Sequence, residues 1–85
     1  MALYRVSFEG EGGSAAGFSV IAWELAESAE TAEARARLSI YRAWSERIGT
    51  AALPELTCVH AHRVGLLRAF FEKPGVSSFV FHEAD

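Results

Sequence analysis

Ser28-Ala29-Glu30-Thr31-Ala32-Glu33-Ala34-Arg35-Ala36-Arg37-Leu38-Ser39-Ile40-Tyr41-Arg42-Ala43-Trp44-Ser45-Glu46-Arg47-Ile48-Gly49 is the stretch on which the fold turns. It reads as one long helix. Ser28 suits the N-cap, because its hydroxyl accepts a hydrogen bond from a backbone N–H that the first turn leaves unpaired. Glu27, Glu30 and Glu33 stand near the positive end of the helix dipole, and Arg42 and Arg47 toward its negative end. Alanines at 29, 32, 34 and 36 favour helix, Gly49 supplies a stop and Pro54 follows it. At about 100° per residue, Ala34, Leu38, Tyr41, Trp44, Ser45 and Ile48 fall on one broad stripe, which predicts a helix lying on a sheet.

On the N-terminal side of this helix, Leu3 to Glu9 alternates in polarity. Tyr4, Val6 and Phe8 share one side, with Arg5, Ser7 and Glu9 on the other, the period of a strand with one buried face. The Gly10–Gly17 run carries glycine at 10, 12, 13 and 17 and reads as a flexible loop closing an open hairpin. Phe18 to Leu25 is apolar on both parities, which predicts a central strand covered on both faces or one carrying a bulge. Residues 22–27 fit either the end of that strand or an early start of the helix.

On the C-terminal side, Leu56 to Val64 reads as a third strand. It would place Cys58, His60 and His62 on one face and Thr57, Val59, Ala61 and Arg63 on the other, with Gly65 breaking or bulging it. Leu66 to Glu72 and Val76 to His82 flank Lys73-Pro74-Gly75, and Pro-Gly is the pair that a type II turn takes at its centre. A hairpin is therefore predicted there. The fold class that results is α+β: a mainly antiparallel sheet of four to five strands with one long helix packed on one face, in the order ββαββ or ββαβββ.

The 85 residues make a single domain over 1–85, since a second would be too small to enclose a core. Hydrophobic residues are 51% and charged residues 22% of the chain, which excludes wholesale disorder. The formal net charge of -3 gives no general attraction for nucleic acid, while leaving room for a local basic patch. Cys58 is the one cysteine, so neither an intramolecular disulfide nor a zinc site built on cysteine pairs is expected. The start Met1-Ala2-Leu3-Tyr4-Arg5 lacks a signal-peptide pattern, and the uncharged stretch near Gly17 to Trp23 is far short of the roughly 20 residues that cross a bilayer. A soluble protein of the cytoplasm, with no membrane partner, is the expectation.

Several constellations invite chemistry. Cys58-x-His60-x-His62 on one strand face would offer a thiolate and two imidazoles, the donors that suit zinc. Residues two apart on a strand do not bring a thiol within hydrogen-bond reach of an imidazole, so a Cys58–His nucleophile is not supported. The glycine run has neither a dinucleotide fingerprint nor a P-loop ending, and a strand follows it. Arg35, Arg42, Arg63 and Arg68 together with sheet aromatics would serve a nucleic-acid-binding or regulatory domain, although the octet typical of sheet-platform RNA binders is missing. Glu24, Glu27, Glu30 and Glu33 recur every three residues, a spacing that would mimic phosphates or simply favour the helix start. With no catalytic motif, the chain is expected not to be an enzyme and to need no cofactor.

A short chain with this much apolar material is expected to leave some of it outside the core. That predicts a non-catalytic protein-interaction module, a homodimer that also docks onto another protein, with Trp23, Phe70, Phe79 and Phe81 as interface anchors. In size, acidity and want of motifs the chain is similar to small accessory proteins of phages and mobile elements. Some of these, such as the anti-CRISPR proteins, inhibit a host complex, and the resemblance implies a role of that kind.

Overall fold

The computed structural model of the chain describes residues 1–11, 17–49, 53–69 and 71–82. Its elements are β1 (Ala2–Glu11), β2 (Phe18–Ala26), α1 (Ala29–Arg47), β3 (Glu55–Arg63), a single helical turn α2 (Leu66–Ala69), β4 (Gly75–Val76) and β5 (Val80–Phe81). The strands form one antiparallel sheet in the order β3-β1-β2-β4, and β5 shares the outer edge of β2 with β4. With α1 packed across one face, this is the expected α+β architecture.

α1 begins and ends where its caps dictate. The Ser28 hydroxyl accepts from the Thr31 amide at 3.2 Å. At the other end, the Ile48 and Gly49 amides both donate to the Trp44 carbonyl, and Gly49 takes the left-handed φ of +76° that glycine tolerates. The buried stripe, however, matches the predicted one only at Trp44, which is buried, and Tyr41, which packs against the core. Ala32, Ala36, Ile40, Ala43 and Trp44 face the sheet, while Ala34, Leu38, Ser45 and Ile48 are exposed, Leu38 at 67%. The reason is size. Alanines on the inner row let the helix approach a sheet whose own bulk (Val6, Phe8, Phe18 and Val20) fills the interior.

In β1, Tyr4, Val6 and Phe8 turn toward α1 as expected, and the strand runs on through Gly10 and Glu11, two positions assigned from sequence to the loop. The remaining glycine-rich positions 12–16 lie outside the described residues. β2 is strand throughout to Ala26, so residues 22–26 do not begin the helix early. Its partnership with β1 is regular from Ala2↔Ala26 to Gly10↔Phe18, and no bulge interrupts it. Nor is β2 covered on both faces. Phe18, Val20, Ala22 and Ala26 are buried under α1, whereas Ser19, Ile21 and Trp23 are half-buried on the opposite side and Leu25 is exposed there.

The C-terminal hairpin does not form. Leu66–Ala69 is a helical turn, and β4 and β5 pair with β2 instead. Gly75 has φ +154° inside β4, far from the roughly +80° that a type II turn requires at its third position. β2 would otherwise present an edge of unpaired backbone groups, which a self-contained hairpin leaves bare. The chain therefore crosses from β3 at one edge to β4 at the other, passing the end of the sheet near Leu3 and Trp23. Between β4 and β5, Ser77 holds the edge by accepting the Ile21 amide on its hydroxyl and donating its own amide to the Ile21 carbonyl. Among the described residues no helix is long and apolar enough to cross a membrane.

Candidate interaction face of the sheet

The side of the sheet away from α1 is decided by parity and by one irregularity in β3. Phe8 pairs with Cys58 and Ser7 with His60, so Val59 is an extra residue opposite β1. A bulge of this kind inverts the side-chain alternation of the residues beyond it. Leu56 and Cys58 consequently share the helix side with Phe8, while His60 and His62 point to the other face with Ser7 and Arg5.

The expected trio of Cys58, His60 and His62 is thereby split, which corrects the placement of all three on one face. Cys58 lies half-buried beside Glu33 and Arg37 of α1. Burial, reinforced by the Glu33 carboxylate, raises its pKa above that of a free thiol, so Cys58 behaves as a protonated packing residue. Among the described residues no three His, Cys, Asp or Glu side chains come together to hold a metal ion.

The open face carries a graded surface. At one end Glu9, Glu11 and Glu55, with Thr57 and His82, line a cleft of about 370 Å³. Glu11 and Glu55 stand directly opposite each other on β1 and β3. In the middle are Ser7, Ile21 and His60. Toward the other end come Arg5, His62, Trp23 and Leu25, with Arg5 opposite both His62 and Trp23 on its two neighbouring strands. Arg5 donates to the Ser7 hydroxyl at 3.3 Å, and the rings of His60 and His62 lie 4.9 Å apart. His82, the third histidine, bonds through Nε2 to the Ser19 hydroxyl at 2.9 Å. Trp23 donates its indole N–H to Glu72 at 3.1 Å, and Glu72 also pairs with Arg68, which ties the crossing segment to this end.

Of the three aromatic anchors expected from sequence that fall among the described residues, Trp23 alone is found on this face. Phe79 and Phe81 lie on the helix side, grouped with Phe18 and Trp44. Ring centres there are 5.0 Å apart for Phe18–Trp44, 5.5 Å for Phe18–Phe79 and 5.7 Å for Phe18–Phe81. Phe79 is half-buried and Phe81 remains 44% exposed. Phe70 lies outside the described residues. The sequence argument overlooked Ile21 and Leu25, which share the parity of Trp23, and Val80, which pairs with Ser19 and is 59% exposed.

The arginines are dispersed. Arg35 donates to the Leu25 carbonyl and Arg42 is exposed farther along α1, whereas Arg63 ends β3 and Arg68 is engaged by Glu72. Arg35 and Arg42 belong to α1, Arg63 stands opposite Tyr4 at the end of β3, and Arg68 lies in the α2 turn, so the four are spread over three elements. The row of glutamates is broken too: Glu24 sits in β2 and accepts from Ser39, while Glu30 is in the first turn of α1. Compared with known protein families, with curated proteins and with solved structures, the chain matches none.

Proposed function

We propose that the chain is a non-catalytic interaction module that pairs with a second copy of itself through the open face of the sheet. The observation that supports this reading is the gradation of charge along that face. A two-fold axis lying between two such faces, across the strands, brings Glu9, Glu11 and Glu55 of each copy over the Arg5 and His62 end of the other. Ile21 then meets its counterpart near the centre, where interfaces are depleted of charge. β1 is 10 residues long and four strands stand side by side. The footprint is on the order of 500 Å² before side-chain relief, against about 800 Å² per partner in a standard interface. Association that depends on concentration is expected, rather than an obligate pair.

Beyond the pair, we assign the module the role of a small cytoplasmic accessory protein that occupies the surface of a larger protein, an inhibitor in the manner of those carried by phages and mobile elements. Its support is the small acidic chain, the absence of a catalytic motif in the sequence, and a lone thiol that suits a reducing compartment. Sedimentation equilibrium from 5 µM to 500 µM tests the pairing (concentrations on the order that a weak interface requires). The expected mass rises from 9.3 kDa toward twice that value, and Ile21→Glu holds it at the lower one. A mass fixed at 9.3 kDa throughout would overturn the proposal.

A further inference from the structure

We infer that His60 and His62 form a chelating pair for a divalent transition-metal ion, with the rest of the coordination sphere filled by water. The inference stands apart from the self-association reading, because it uses only two side chains of one strand. Both imidazoles project from the open face after the Val59 bulge, and their ring centres are 4.9 Å apart with planes inclined at 40°.

That spacing is the one chelation needs. A metal-bound imidazole nitrogen sits about 2.0–2.1 Å from the ion and about 1.1 Å from its own ring centre, which puts the ring centre about 3.2 Å from the metal. Two such rings at a coordination angle between about 90° and about 109° have centres roughly 4.5–5.2 Å apart. The observed separation falls inside this window. Nδ1 of His62 is buried and has no hydrogen-bond partner, so Nε2 is the nitrogen that this ring would offer the ion. No third histidine, cysteine or carboxylate joins the pair among the described residues, so the site is open and its affinity moderate. Imidazole donors bind borderline ions, in the order copper(II) above nickel(II) and zinc(II). Arg5, opposite His62, opposes any cation by its charge.

The test is isothermal titration of tag-free protein with copper(II), nickel(II) and zinc(II) salts in a weakly coordinating buffer. Circular dichroism confirms that each variant is folded. Saturable binding is expected at one ion per chain, or one per two chains if two pairs share the ion. Copper should bind most tightly. His60→Gln and His62→Gln should each weaken it by tenfold or more, whereas His82→Gln leaves it unchanged and Arg5→Gln tightens it a few-fold. Nitrogen hyperfine structure in the copper(II) electron paramagnetic resonance spectrum should disappear with either histidine of the pair. Absence of saturable binding, or binding indifferent to both His60→Gln and His62→Gln, overturns the inference.

Discussion

Gly10 lies under the ring of Phe18, its partner across the β1–β2 ladder. A Cβ at this position would overlap the ring's ζ carbon and stand 2.8 Å from both ε carbons. The ring has little freedom to yield, since Phe18 is 1% exposed and stacked on Trp44. Gly10→Ala should therefore destabilise the fold by about 1–3 kcal/mol, the usual cost of overpacking a core, as measured by urea unfolding. A change below about 0.5 kcal/mol, the level of an ordinary surface substitution, would show that the ring is free to move. The sequence places Gly10 in a glycine-rich run and so suggests a loop. Its role as the bare strand position that admits a phenyl ring becomes visible only once its partner is known. Val59 is equally opaque from composition: a regular strand and a bulged one use the same residues, and the difference is a count of residues against β1.

Among the elements, the helix separates hydrophobicity from burial. Ile40 is fully enclosed, while Leu38, two residues earlier, is 67% exposed. Ile40→Ala should cost about 2–5 kcal/mol and Leu38→Ala less than about 0.5 kcal/mol. Equal losses in denaturant unfolding would return Leu38 to the core and revive the stripe expected from sequence. That stripe held at Tyr41 and Trp44 but failed at Leu38, because a hydropathy pattern favours leucine over alanine, while close packing onto a sheet favours the smaller side chain. What the sequence does convey well is local: the alternation of Tyr4, Val6 and Phe8, the Ser28 cap and the Gly49 stop all act within a few residues. Pro74-Gly75 misled for the opposite reason, since the unpaired edge of β2 lies some 50 residues away and local turn preference carries no trace of it. Arg37 shows the same kind of long-range linkage. It donates to the Leu56 carbonyl at 2.8 Å, pairs with Glu33 and sits 5.1 Å over the Phe8 ring, so one side chain joins α1, β1 and β3.

For the whole molecule, the distribution of charge matters more than its sum. A net charge of -3 suggests mutual repulsion between copies, yet the carboxylates of Glu9, Glu11 and Glu55 are gathered at one end of the open face and Arg5 lies toward the other. Pairing that matches these ends is attractive at close range and screened by ions. Raising sodium chloride from 0.05 M to 0.5 M should weaken self-association several-fold in sedimentation experiments, because the screening length falls from about 14 Å to about 4 Å. Association that strengthens with salt would instead indicate a purely apolar contact. The histidine pair and the acidic end were only partly legible in sequence, since their common face depends on the Val59 bulge.

The rims of the sheet set a limit on growth. One rim is split between β4 and β5, and the other is kinked at Val59 and has its Leu56 carbonyl already taken by Arg37. Neither offers a continuous ribbon onto which an incoming strand can zip. Crowding this protein should accordingly not build the laterally extended ribbons from which fibrils are seeded.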